Sequence, residues 1–274
     1  MSTQPGEIAL AYASQPRKGR VSRRGGRAQV SEPPSLRDLP LFATVDEATL
    51  DRLALDAKTE TYEDGDVIFR QGDAVSAVII ILHGFVKLLR IASCGDETLI
   101  GIRSNGETVC EPSASLGETY RVSAEAVGPI AVLKLPAGRF VRLTRESPSL
   151  AAAVLQDAKD KISALVGEIE SLKAQNADQR LARFILSLCP PGLEQCRFRL
   201  PYDKRLIAAR LGVKQETLSR AFAKLRSFGV RTETRNVLVE SVSRLASQCE
   251  HLGRSSQLPS ERSAEPAGTR DDAA

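Results

Sequence analysis

Two hydrophobic rhythms divide this chain. Between Tyr62 and Leu135 short apolar runs alternate with glycines: Val67-Ile68-Phe69, Ala77 to Leu82, Phe85 to Ile91, Thr98 to Ile102 and Ile130 to Leu135. These runs are rich in β-branched residues, which fit a pleated, half-buried surface. Gly84, Gly95, Gly106, Gly117 and Gly128 recur every 11 residues, after Gly65 and Gly72. The rhythm predicts short strands joined by tight turns in which glycine supplies positive φ. Strands so spaced point to a β-barrel or jelly roll rather than a parallel α/β sheet. Leu36, Leu39, Leu41, Leu50, Leu53 and Leu55 predict a short helical lead-in. A small barrel is either filled by side chains or holds a ligand, and the pattern leaves both open.

The second rhythm is helical. After Pro148 there is no Gly or Pro until Gly167, and none again until Pro190. Leu155, Ala158, Ile162, Leu165, Ile169, Leu172 and Asn176 step by alternating three and four residues, while Asp157, Lys159, Asp160, Lys161, Glu168, Glu170 and Lys173 fall off that line. This is an a/d heptad seam. A long helix with a narrow seam needs a partner, and an identical helix in a homodimer is the simplest one. Packing of the stripe on its own barrel is the alternative.

Residues 203–229 read as helix, turn, helix. Asp203 can cap a helix carrying Leu206, Ile207 and Leu211, and Gly212 breaks it. In the second helix Leu218, Phe222 and Leu225 form an apolar face, and Glu216, Ser219 and Arg220 share the opposite one. That polar face has the chemistry of major-groove reading: arginine bidentate to guanine, glutamate accepting from cytosine, serine bonding to an edge or a phosphate. Lys214, Gln215, Glu216, Thr217, Ser219, Arg220 and Arg226 are the candidate DNA-binding residues, with Lys214 and Arg226 placed to touch phosphate. Gly229-Val230 ends the helix. Arg231 to Val239 then alternates around Thr234-Arg235-Asn236 as a β-hairpin wing.

Charge sharpens this picture. The 274 residues carry a net charge of +4. It is unevenly spread: +4 over 1–35, −7 over 36–179, +9 over 180–239 and −2 over 240–274. A concentrated basic block is the electrostatic footprint of nucleic-acid binding, because neutralised phosphates release counterions. Hydrophobic residues make up 42% and charged residues 26%, a soluble balance, and no uninterrupted apolar run is longer than Ala77 to Leu82, which is too short to span a membrane. With no secretory signal either, the expected location is cytoplasmic. Five cysteines, Cys94, Cys110, Cys189, Cys196 and Cys249, contain no C-x-x-C pair. Their odd number suits a reduced chain better than a disulfide scaffold. The composition of 1–35 and 247–274 predicts disorder; the basic N-terminal stretch also reads as a nucleic-acid-binding arm, an over-extended translation start or a transit peptide. The expected organisation is then a sensory β domain over 36–143, a dimerisation helix over 144–178 and a DNA-binding domain over 179–246.

The order of barrel, long helix and winged helix-turn-helix resembles the Crp/Fnr transcription regulators over nearly all of residues 36–246. Leu39-Pro40-Leu41-Phe42, Gln71-Gly72-Asp73, His83-Gly84-Phe85-Val86-Lys87 and Gly106-Glu107 are similar to that family's lead-in and barrel turns. Leu200-Pro201-Tyr202-Asp203-Lys204 and Ile207-Ala208-Ala209-Arg210-Leu211-Gly212 are similar to the segment entering its helix-turn-helix. The resemblance implies an α+β fold: an N-terminal double-stranded β-helix of the jelly-roll, cyclic-nucleotide-binding type, a dimerisation helix and a C-terminal winged helix-turn-helix. It also implies double-stranded DNA, a second copy of the chain and RNA polymerase as partners, with no membrane. Glu216-Thr217-Leu218-Ser219-Arg220 is similar to the recognition helix of the Fnr side, which implies TTGAT-like half-sites in a palindrome. Leu172-Lys173-Ala174-Gln175 and the Leu-Pro-Tyr-Asp-Lys run look most like the nitric-oxide-responsive NnrR/DNR branch, which implies nitric oxide bound at haem.

Three signals known in the family can be set against the residues. An iron–sulfur cluster needs clustered N-terminal cysteines, and residues 1–93 hold none, so no such cluster is expected. A cyclic-nucleotide site needs a Gly-Glu pair and a later Arg-Ser pair. Here Cys110 precedes Glu111, and Val122 separates Arg121 from Ser123 and is read as turning Arg121 off the Ser123 face. Glu111, Arg121 and Ser123 are the candidate effector-pocket residues. For haem, His83 precedes a glycine turn, His251 lies in the tail and Cys110 is a candidate thiolate, so no ligand is assigned. No P-loop, G-x-S-x-G elbow or H-E-x-x-H helix is present, so no enzyme is expected. The alternatives are a cyclic-nucleotide-responsive regulator, or a cupin-like barrel enzyme using Glu107 and Glu111 with a basic accessory domain.

Overall fold

The computed structural model describes residues 35–109 and 119–247. Nearly all of both tails lies outside them, as do Cys110, Glu111, Cys249 and His251. The chain enters through two short 3-10 turns, Leu36–Asp38 and Pro40–Phe42, and a helix α1 (Glu47–Ala54). Five strands follow: β1 (Lys58–Tyr62), β2 (Val67–Phe69), β3 (Ala77–Ile91), β4 (Glu97–Arg103) and β5 (Ser123–Pro136). They form one antiparallel sheet in the order β1-β5-β3-β4, with β2 on β5.

Ala77 to Leu82 is uninterruptedly apolar because most of its side chains are covered whichever face they take. Ile79 and Ile81 pack into the sheet's inner cluster with Ile68, Phe69, Val86 and Val132. Val78 and Ile80 point the other way, onto Leu41, Phe42, Leu53, Leu133 and Leu135. Alternation thus serves two cores at once.

The predicted strands 77–82 and 85–91 are one bent strand. Gly84 is not a turn but a bulge within β3, with register shifts on either side of His83. Its φ is +98°, and a Cβ there would come within 2.6 Å of Ile130 Cγ2 and 2.9 Å of the Pro129 carbonyl oxygen. Gly128 likewise lies inside β5 at φ +75°. Gly95 does close the β3–β4 hairpin.

Helices α2 (Ala137–Glu146) and α3 (Pro148–Ala174) leave the sheet. Leu150, Ala153 and Val154 of α3 bury against the outer cluster with Phe140 and Leu143. The heptad seam does not reach Asn176. That residue accepts a hydrogen bond from the Gln179 N–H in a capping box and starts α4 (Ala177–Ser187). The remaining elements are β6 (Cys196–Arg199), α5 (Lys204–Arg210), α6 (Gln215–Leu225), β7 (Val230–Glu233) and β8 (Asn236–Val239). Cys189 and Cys196 are joined, with Cα atoms 5.9 Å apart, against the expectation of free thiols. The Pro190-Pro191-Gly192 turn folds the chain back and brings them together.

Asp46 fastens the lead-in to the long helix. It caps α1 by accepting from the Thr49 N–H at 2.9 Å, and it also accepts from the hydroxyls of Thr49, Ser147 and Ser149. Ser147 in turn caps α3. These bonds, that of Ser149 first, hold the Asp46 carboxyl well below the ordinary carboxylate range. A depressed folded value means that the contribution is present above the unfolded pKa of about 3.9 and is lost as pH falls through it. We therefore expect Asp46→Asn to lower stability at neutral pH, with the gap to the parent closing between about pH 5 and pH 2. Urea midpoints measured across that range check this, and a gap independent of pH would contradict it.

Candidate nucleic-acid interface

The basic block folds as the sequence predicts. Asp203 accepts from the Leu206 N–H at 2.8 Å and caps α5. Gly212 at φ +62° makes the turn, and the Val213 N–H returns to the Ala208 carbonyl. Lys214 then leads into α6 without a side-chain cap. Leu218, Ala221, Phe222 and Leu225 are buried, so the opposite face is fixed outward. Lys214, Gln215, Glu216, Ser219, Arg220 and Arg226 are exposed and Thr217 is half-buried. Arg220 donates to Thr217 Oγ1 at 3.4 Å, a loose contact that leaves the guanidinium free to turn outward. Arg226 lies beyond α6, in the 3-10 turn Arg226–Phe228, about 15 Å along the axis from Glu216 at 1.5 Å per residue. Lys224 on the same helix is not available in the same way, because it pairs with Asp178 of α4 at 2.5 Å.

The wing is present and has one strand more than expected. β6 joins the hairpin in the order β6-β8-β7. The turn is two residues, Thr234 at φ +54° and Arg235, because Asn236 already pairs with Glu233. Arg235 holds the wing tip to the chain entering α5: its Nη2 donates to the Leu200 carbonyl at 3.0 Å, and its own carbonyl accepts from the Leu200 N–H at 2.7 Å.

Sequence reasoning missed how this unit meets the sheet. Ile102 of β4 lies in the core of the winged domain, with Phe85, Leu99 and Val127 packed against the same cluster. Tyr202 is buried there, its ring edge-on to Phe85 at 5.6 Å between centroids. Burial pushes its hydroxyl above the ordinary tyrosine range, and Arg210, which donates to that oxygen, pulls it partly back. The Arg210 guanidinium also lies 5.5 Å from the Phe184 ring. A Cβ at Gly212 would lie 3.4 Å from Leu172 Cδ2, so the end of α3 sits beside the reading turn.

The seam on α3 is bare in the single chain. Leu155 is 71% exposed, Ile162 62% and Leu165 52%, while Ile169 and Leu172 are exposed to a similar degree and Ala158 is half-buried. On another side of the helix, Lys161 pairs with Asp157 at 3.0 Å and donates to Thr108, which is almost fully buried in the β domain.

Of the candidate effector residues, Glu111 lies outside the described residues and Arg121 and Ser123 lie within them. Ser123 is buried, and its hydroxyl already accepts from the Gln71 N–H at 2.9 Å. Arg121 is exposed in a bend before β5 begins. The expected reason for their separation needs correction, since residues two apart in a strand share a face; Arg121 is apart because it precedes the strand. For haem, two of the three candidate ligands, Cys110 and His251, lie outside the described residues. His83 is exposed at the β3 bend, and among the described residues no three His, Cys, Asp or Glu side chains converge.

Comparison with known proteins agrees with this architecture. Residues 59–147 match the cyclic nucleotide-binding domain and residues 179–251 the Crp-like helix-turn-helix domain. A crystal structure of a candidate cyclic nucleotide binding protein from Ruegeria pomeroyi is 36% identical with a TM-score of 0.61, covering 79% of this chain and 96% of that one. Transcriptional activator protein anr of Pseudomonas aeruginosa is 29% identical over 197 residues, 70% of this chain and 80% of the relative. The fumarate and nitrate reduction regulatory protein of Salmonella typhi is 26% identical over 233 residues, 83% and 93% respectively. With a sensor-type β domain, a long helix and a winged helix-turn-helix in that order, this chain belongs to the Crp/Fnr family of DNA-binding transcription regulators and is not an enzyme.

Proposed function

We propose that this regulator is a cytoplasmic homodimer that reads a palindrome of TTGAT-type half-sites under the control of a small signal acting on its β domain. The working units are a sensor over 36–143, a dimerisation helix over 144–178 and a reader over 179–246. The observation that carries the reading is the exposed stripe of α3, Leu155, Ile162, Leu165, Ile169 and Leu172, on a helix that bonds to the β domain at Thr108 and ends beside the reading turn at Gly212. Pairing two such stripes sets two recognition helices about one twofold axis, as a palindrome requires. A signal that changes how Lys161 and Thr108 meet would tilt the helix and with it both readers. RNA polymerase is the proposed partner once DNA is bound, on the strength of the family alone. Nitric oxide sensed through haem is the proposed signal by likeness to the NnrR/DNR branch. No haem ligand is assigned among the described residues, and no step is routed through haem.

Cyclic AMP is the second reading, favoured by the match of residues 59–147 to the cyclic nucleotide-binding domain. Against it, Arg121 is exposed in a bend outside the strand. The phosphate's strongest charge-assisted partner would be missing. We expect cyclic AMP titrated against a labelled palindrome to leave affinity unchanged. A tenfold tightening, about 1.4 kcal/mol of coupling, would move the assignment to the nucleotide. An absorption spectrum with added haem, then nitric oxide, tests the first reading: a Soret band shifted by the gas supports it and no band removes it.

If Arg220 pairs with guanine, Arg220→Ala should cost roughly 1–3 kcal/mol and relax selectivity at one base pair of each half-site. Site selection with the variant shows this directly, and an unchanged preference would unseat Arg220 from that role. Loss of Lys214 or Arg226 should instead weaken all sequences alike and flatten the salt dependence.

Leu165→Asp places a carboxylate in the middle of the stripe, where burial without a partner costs several kcal/mol. The variant should sediment as a monomer and lose affinity for the palindrome, since half-sites bound separately forfeit their effective concentration. An intact dimer would mean that the stripe is not the interface.

A further inference from the structure

Cys189 and Cys196 close a ring of eight residues at the junction of the helix behind the reader and the sheet that carries the wing. Each end of this ring is attached to a different part of the winged domain, one to the helix under the recognition helix and the other to the wing sheet. Before Cys189 runs α4, whose Asp178 pairs with Lys224 of the recognition helix and whose Leu181, Phe184 and Ile185 share the core with Leu218 and Phe222. Cys196 is the first residue of β6 and lies opposite Val239 of β8, the outgoing wing strand.

Inside the ring sits Glu194, and its contacts all go to the chain that leaves the wing. Its carboxylate accepts from the hydroxyls of Ser241 and Ser243, each at 2.6 Å, and its carbonyl accepts from the Val242 N–H at 2.7 Å. Both hydroxyl bonds hold its carboxyl below the ordinary glutamate range. The ring therefore governs three strings at once: the helix under the reader, the strand beside the wing and the segment after it.

We propose that Cys189 and Cys196 form a reversible dithiol–disulfide pair that tunes DNA affinity by fixing the wing relative to the recognition helix. The proposal rests on the DNA-reading assignment above. A regulator that works on DNA does so where thiol reductants keep most protein thiols reduced, so a bond placed here turns over rather than standing as a permanent staple. The site also accommodates both states. The Ile185 carbonyl lies 3.6 Å from Cys189 Sγ, so a reduced Cys189 keeps an acceptor for its proton. Pro190, Pro191 and the Gly192 turn at φ +81° limit how far the thiols can drift apart.

Exchange with a small thiol such as glutathione balances without any other reactant. Its thiolate attacks the Sγ of Cys189, the half-buried residue of the pair where Cys196 is buried, and the Sγ–Sγ bond breaks with Cys196 leaving as a thiolate that takes a proton. A second thiolate attacks the glutathione sulfur of the mixed disulfide and releases Cys189. The net change is protein disulfide plus two thiols giving protein dithiol plus one small disulfide, and oxidation is the reverse.

The test uses the full chain with Cys94→Ser, Cys110→Ser and Cys249→Ser, so that only the pair remains. The protein is equilibrated in graded ratios of reduced to oxidised glutathione, quenched by alkylation and weighed intact, and its affinity for the labelled palindrome is measured in the same buffers. We expect two alkyl groups in the reduced form and none in the oxidised form, with the oxidised form binding DNA at least threefold more tightly. Adding Cys189→Ser should hold affinity at the reduced value in every buffer. Two alkylatable thiols persisting in fully oxidised glutathione would overturn the pair, and equal affinity in two states verified by mass would overturn its role. If neither state binds the palindrome, the DNA-site assignment is what fails, and the alkylation count still judges the pair.

Discussion

Tyr202 makes one molecule of two modules. Its ring is buried between Phe85 of the sheet and Phe184 of the winged domain, and its hydroxyl is met by Arg210, two residues before Gly212 at the reading corner. A buried phenol without a partner would be costly, so the guanidinium is held in place by the same burial that demands it. Because Arg210 belongs to α5 and α5 is packed under α6, the orientation of the recognition helix relative to the sheet follows from how this one ring is seated. Ile102 and Leu99 extend the same contact along β4.

The parts legible in the sequence were those set by neighbours along the chain. The Asp203 cap, the Gly212 corner and the outward face of Glu216, Ser219 and Arg220 follow from helix periodicity and capping chemistry, both local. Gly84 and Gly128 were misread for a physical reason: positive φ serves a bulge as well as it serves a turn, and only the partner strand decides which. Asn176 fits a heptad position and an N-cap equally, and the break in α3 before it settles the matter. Tyr202 with Phe85, and Lys161 with Thr108, join residues remote in sequence, so no window along the chain contains them. The cysteine pair escaped because a spacing of seven carries no motif, and what matters is the intervening Pro-Pro-Gly.

Charge was readable as a sum but not as an arrangement. The acidic and basic blocks meet in the structure: Asp178, at the end of the acidic stretch, neutralises Lys224 on the recognition helix. Arg231 is likewise engaged by Glu240. What the helix offers outward from its first turns, Lys214, Glu216 and Arg220, is thus a selected subset of the block's charge. The selection follows from which apolar side chains α6 buries.

The bent pairing of β3 with β5 also sets a timetable. Ala77 lies opposite Pro136 and Leu89 opposite Ser123, contacts that close long loops before any of them is rewarded. The wing hairpin closes across two residues, and α5 and α6 across one short corner. The reader can acquire its shape quickly while the sensor is still assembling, although the sensor leaves the ribosome first. Until β3, β4 and β5 are in register there is no surface for Tyr202 to dock on, and its ring, with Phe184 beside it, stays open to other apolar chains. The last part of the chain to be synthesised is therefore the part whose contacts are most local in sequence.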